Sequence, residues 1–224
     1  MRINKILTLA LAGILSFSFC VYTYAADYKG YAAFRDGVDL AWYTGGWHAG
    51  VSIDSNGDNF YQARGSGQTT GKDDFKGFMN YPKANNNFQG YYYMSGMSTS
   101  DRDEIVSTGK KLAEYKLPYS LTSPLGADNA NDSDFYSPDE VTSARCDGFL
   151  EYCYEWNSVK ITEYSWGDDK PWDISEVERG LIAHSFIYIP GLFGSYTLEF
   201  SPTLLTPKNQ SAFMTYAGGK GRKP

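Results

Sequence analysis

Arg145-Cys146-Asp147-Gly148-Phe149-Leu150-Glu151-Tyr152-Cys153 is the stretch on which the reading of this chain turns. Cys146, Phe149, Leu150, Cys153 and Asn157 recur at helical spacing, which predicts a helix from about Ser143 to Trp156 with Cys146 on its inward face. Ser143 is the candidate cap, placing Cys146 in the first turn, where backbone N–H groups have no partner within the helix. Such donors favour a thiolate and can later hold an oxyanion. Gly148 allows close backbone approach at the same point. Cys153 lies two turns deeper, about 10.5 Å along the axis. A disulfide needs Cα atoms within about 7 Å, so a helix here leaves at least one thiol. Chemistry alone leaves two readings of Cys146, a nucleophile or an ordinary buried thiol or half-disulfide.

Upstream, residues 31 to 63 are strand-like. Trp47-His48-Ala49-Gly50-Val51-Ser52-Ile53 alternates, Asp54 to Asn59 has turn composition, and Phe60-Tyr61-Gln62-Ala63 follows as a second strand, so the pair reads as a hairpin. A turn centred on Ser55 sets His48 opposite Gln62, whereas a two-residue Asn56-Gly57 turn surrounds His48 with Ala63 and Gly65 and leaves it no acceptor. The longer loop is favoured. Residues 64 to 87 read as mostly loop and Phe88 to Met94 as an aromatic strand. A helix is expected from Ser100, capped there with Asp103 three residues on, to about Lys116, with Ile105, Val106, Leu112 and Ala113 as its stripe. Pro118-Tyr119 ends it, and residues 120 to 140 form a polar surface loop. Val159–Tyr164 and Phe186–Phe200 are strand candidates, and Gly218 to Pro224 reads as a flexible basic tail. The expected class is α+β, a small antiparallel sheet or partial barrel packed on the Cys146 helix.

Arg2, Lys5, the apolar run from Ile6 to about Val21 and the small residues at Thr23 and Ala25 read as a secretory signal peptide, residues 1–25, too short for a comfortable membrane span. Bulky Phe19 before Cys20 speaks against a lipid anchor. Residues 26–224 then form one domain. They carry 18 Lys and Arg against 26 Asp and Glu, a balance that does not favour nucleic acid or anionic membranes. No His/Cys cluster supports zinc, and no Gly-rich loop supports a phosphate cofactor, so neither metal nor cofactor is expected. Asp54 to Asn59 has some calcium-loop composition but lacks the spacing and closing Glu, and turn is the better reading. The acidic residues from Asp128 to Glu140 read as a solvated run rather than a calcium site.

Arg145-Cys146-Asp147-Gly148-Phe149 resembles the Asp-Cys-Ser-Gly-Phe nucleophile motif of the NlpC/P60 superfamily, with Arg145 and Asp147 in place of the family's Asp and Ser. Trp47 to Ile53 resembles that family's His-Val-Gly-Ile-Tyr-Ile strand, and Leu117-Pro118-Tyr119 its Pro-Tyr element. The histidine strand precedes the cysteine here, as in the circularly permuted branch that includes YiiX-like and LRAT-like proteins. The resemblance spans about residues 31 to 157. It implies a permuted papain-like fold with Cys146 as nucleophile, His48 as base, Gln62 as the acceptor that orients the imidazole, and Tyr119 near the oxyanion. His184, the other histidine, lacks the His-x-Gly context.

The function implied is a secreted cysteine hydrolase of the cell envelope, cleaving an amide in cell-wall peptides or related peptides through a thiolate–imidazolium pair and a thioester. Two other readings stay open, an acyltransferase or thioesterase acting on lipid or ester substrates, and a binding module without turnover. For Gln62 the alternative is an exposed strand glutamine, and for Tyr119 plain aromatic packing.

Overall fold

The computed structural model describes residues 27–37, 46–80, 86–121, 124–127, 137–161 and 205–224. In chain order its elements are β1 (Ala32–Asp36), β2 (Trp47–Ser52), β3 (Asn59–Ala63), β4 (Thr70–Asp74), α1 (Phe75–Asn80), β5 (Phe88–Tyr93), α2 (Thr99–Glu114), β6 (Leu125–Ala127), β7 (Val141–Ala144), α3 (Cys146–Glu155), α4 (Pro207–Phe213) and β8 (Thr215–Gly218). Six strands form an antiparallel sheet in the order β4-β3-β2-β1-β5-β8, and β6 and β7 make a separate two-stranded ribbon. The class is α+β, as expected.

Because side chains alternate across a strand, the sheet has two different faces. Ala32, Phe34, Ala49, Val51 and Ala63 point toward α2 and α3, where they meet Ile105, Leu112, Phe149, Leu150 and Cys153 in the larger core. Ala33, Phe60, Phe88 and Tyr91 point the other way and close over Phe75, Phe78 and Met79 of α1. Every member of these two sets is buried. The sheet is thus covered on both faces at its centre.

Several expectations need correction. Within residues 64 to 87 the structure has β4 and α1. Polar β4 is an edge strand held by its ladder with β3, while Phe75, Phe78 and Met79 sit at helical spacing on α1. The stretch from 120 to 140 contains β6, and the helix α2 begins earlier than Ser100. Its cap is Ser98, whose hydroxyl accepts the Asp101 N–H at 3.2 Å while Asp101 accepts the Ser98 N–H at 2.6 Å. That reciprocal pair satisfies two free donors at once, leaving Ser100 inside the helix beside Glu104.

The supposed tail is also ordered. Residues 215–218 form β8 along β5, and Arg222 lies over the Phe75 ring at 4.1 Å, pairs with Asp58 and donates to Gly57 O and the Tyr91 hydroxyl. Val159 to Ile161 belong to no strand. The remainder of that candidate strand, Phe186–Phe200, His184 and the signal segment lie outside the described residues, as does most of the acidic run. Among the described residues no helix is long and apolar enough to cross a membrane.

Candidate functional site

The β2–β3 hairpin positions the histidine. Val51 pairs with Tyr61 and Ser52 with Phe60, so the register is two residues away from the one centred on Ser55. Asp54 makes the difference: its carboxylate accepts the Asp58 N–H at 2.9 Å and the Asn59 amide at 2.8 Å, closing a longer loop around Asn56. That use of its oxygens fits the turn reading of the segment. A shift by two keeps the parity of a strand. Gln62 therefore stays on the face of His48, one diagonal step away rather than directly opposite.

His48 Nε2 and Gln62 Oε1 are 2.5 Å apart, and both side chains are buried. The other end of the amide determines its orientation. Gln62 Nε2 donates to Asp73 Oδ2 at 2.7 Å, and Asp73 is paired with Arg64 Nε at 2.6 Å. A carboxylate can only accept here, so the amide NH2 must face Asp73 and the carbonyl must face His48. His48 consequently carries its proton on Nε2 and leaves Nδ1 as the basic nitrogen. Gly50, two residues on, serves this packing: a Cβ there would lie 3.0 Å from the Phe78 ring and 3.3 Å from Gln62 Cβ. The glycine accommodates protein atoms at that point.

Cys146 is the first residue of α3. The cap is Arg145, without a side-chain cap bond, rather than Ser143. Ser143 is held extended opposite Gly126 in the β6–β7 ribbon, which delays the helix start until after Ala144. Arg145 instead folds back onto Asp147, with Nε–Oδ1 at 2.8 Å and Nη2–Oδ2 at 2.7 Å, a buried ion pair. Gly148 lets Pro124 approach, since a Cβ there would lie 2.0 Å from Pro124 O. Cys146 and Cys153 are both free thiols, consistent with the helical spacing.

Two donors approach the Cys146 sulfur. The Tyr119 hydroxyl lies 3.9 Å from Sγ, Tyr119 being held by its N–H to Gln68 O and by a bridge to Ala144. The Ala49 N–H bonds to the sulfur, so the thiol rests against the peptide that joins His48 to Ala49. Its neighbours along α3 pack on the larger core, whereas the His48 ring lies on the α1 face, 5.5 Å from Phe78. Among the described residues no hydrogen bond joins the sulfur to the imidazole; the two meet the start of β2 through Ala49 and Gln62 respectively.

Arg35 is the residue that sequence reasoning missed. It stands directly opposite His48 on β1, beside a break in register against β5 between Phe34 and Arg35, a bulge of the kind that re-aims side chains. It is 0% exposed, and its Nε, Nη1 and Nη2 have no hydrogen-bond partner among the described residues. The guanidinium lies over the Phe78 ring, 5.7 Å from its centroid. Asp36, the next residue, is engaged elsewhere by the Asn87 N–H and Gln89. A cation following an apolar strand start was visible in Ala32-Ala33-Phe34-Arg35, but nothing in the sequence marked it as buried.

Burial sets the electrostatics. It pushes the Cys146 thiol up to about 12, with the Asp147 carboxylate adding to the rise and Arg145, the Ala49 N–H and the Tyr119 hydroxyl opposing it. Burial also holds His48 well below its usual value, and the Arg35 charge lowers it further against the Gln62 hydrogen bond. Tyr119 is raised, again chiefly by burial. Arg35 is pulled down to about 10 by burial, with Cys146 and Tyr119 working against that pull, and remains a cation at neutral pH. Both shifts favour the uncharged forms, a thiol at Cys146 and a neutral imidazole at His48. Comparison with known proteins gave no match for this chain, whether to a family model, to a curated protein or to a solved structure.

Proposed function

We propose that this protein is an exported cysteine hydrolase that cleaves an amide bond, on a permuted papain-like fold, with Cys146 as nucleophile and His48 as base. The observation that carries the reading is the buried His48–Gln62 pair, fixed through Asp73 with Nδ1 left basic, at the same peptide against which the Cys146 sulfur rests. In this mechanism His48 Nδ1 takes the Sγ proton as the sulfur attacks the amide carbon. Because burial keeps both partners neutral beforehand, proton transfer accompanies attack. The carbonyl electron pair moves onto oxygen, where the Cys146 N–H and the Tyr119 hydroxyl are the donors at hand. His48 then gives its proton to the leaving amine as the C–N bond breaks, and water hydrolyses the thioester.

For an exported chain with the motifs of Cys146, His48 and Pro118-Tyr119, cell-wall peptides are the substrate class we propose. Digestion of purified muropeptides by the wild type and by Cys146→Ala, read by mass spectrometry, is the test. Fragments should appear with the wild type only, and products persisting in the alanine variant would end the proposal. The near-complete burial of Cys146, 1% exposed, favours one other reading, a binding module without turnover. Iodoacetamide separates the two: a nucleophile should label faster at Cys146 than at Cys153, while equal and slow labelling supports the binding module.

A further inference from the structure

The mechanism above gives Arg35 no task, although it is the most costly side chain in the site. A buried guanidinium without hydrogen bonds forfeits hydration and receives nothing in return. Its three nitrogens are unpartnered among the described residues, and its charge acts on His48, Cys146 and Tyr119 alike. It therefore sits among the very groups proposed to react. A planar fork of N–H donors in such a place is suited to a carboxylate, which it can bind through two parallel hydrogen bonds.

The position of Arg35 also indicates which side of the substrate carries that carboxylate. His48 is its direct cross-strand partner, and directly opposed residues have Cβ atoms roughly 4.5–5.5 Å apart. In the proposed reaction His48 hands a proton to the leaving amine, so the leaving group lies on the His48 side of the sulfur. We propose that Arg35 binds a carboxylate carried by the leaving amine, so that the preferred scissile amide is one whose nitrogen belongs to an amino acid with a free α-carboxylate. This inference rests on the hydrolase reading for its choice of side. Binding would also aid the chemistry, because a bound carboxylate neutralises the charge that now disfavours a proton on His48.

The test uses the full chain carrying Cys146→Ala, titrated with N-acetyl-alanyl-alanine and with its C-terminal amide, each with the second alanine in either configuration. The acid should bind at least about tenfold tighter than the amide, in one configuration or both. Adding Arg35→Met should abolish that preference while the melting temperature shows the variant folded, and Arg35→Lys should restore part of it. No preference for the acid, including no binding of either compound, overturns the proposal. In the Cys146 protein, an equal fall of kcat on acid and amide substrates in Arg35→Met, with KM unmoved, would make Arg35 a support of the thiolate and overturn it too. Acid preference with intact muropeptides would instead remove the hydrolase reading and leave the carboxylate site standing.

Discussion

Replacing His48 with glutamine should flatten the acid side of the stability curve, and the size of the effect follows from burial. In the folded chain the imidazole is kept neutral, with its proton affinity well below the ordinary value of 6.5. The unfolded chain binds a proton near 6.5 and the folded chain does not, so the unfolded state gains protons as pH falls. Stability from this group is complete above 6.5 and is lost progressively below it, down toward the folded value. Linkage gives a loss of about 0.4 kcal/mol at pH 6.5 and about 1.4 kcal/mol at pH 5.5. For a domain of this size that is roughly 2–4 °C of melting temperature per kcal/mol. Thermal melts of wild type and His48→Gln at half-unit steps from pH 7.5 to 5.5 provide the assay. Every other ionisable group is common to the two proteins and drops out of the difference. The wild type should fall more steeply than the variant below 6.5, by about 1 kcal/mol between pH 6.5 and 5.5. Parallel curves, or a wild type that gains on the variant toward acid, would refute a neutral buried imidazole.

Gly148→Ala should destabilise by about 1–3 kcal/mol even though alanine favours helices by up to about 1 kcal/mol, because its Cβ would meet Pro124 O at 2.0 Å; a raised melting temperature would show that the ribbon yields freely. Gln62→Leu should cost about 1–3 kcal/mol by stranding His48 Nε2, and should depress kcat more than it raises KM in the muropeptide assay. Arg222→Ala should lose about 1.5–3 kcal/mol and speed hydrogen exchange along residues 215–218, and unchanged exchange there would show that β8 holds without it.

How much of this was legible beforehand varied with the kind of signal. The α3 helix and the β2–β3 hairpin could be read because their apolar residues recur at 3.6 and 2 positions, as at Phe149, Leu150 and Cys153 or at Ala49 and Val51. The pairing of His48 with Gln62 was legible only in parity: the Asn56-Gly57 signal and the Ser55-centred loop both missed the register that Asp54 imposes through its side chain. β4 escaped notice because Thr70-Gly71-Lys72-Asp73-Asp74 is polar and owes its extension to its partner strand. The Ser143 cap failed for a tertiary reason, since pairing with Gly126 outweighs a side-chain cap. Arg35 could not be found at all from local pattern. Its significance arises from a β1–β2 register and a bulge that join distant segments, and burial of that cation is a property of the assembled sheet.

The place of β8 has a consequence for how the molecule is made. The outer edge of β5, ending at Tyr93, acquires its neighbour only when residues 215–218 arrive, long after the rest of the sheet has been synthesised. Until then that edge offers unpaired N–H and C=O groups to any passing strand, and closing so distant a contact is slow. A chain that finishes its sheet so late stays loosely closed during synthesis and is exposed to clumping until that last strand docks.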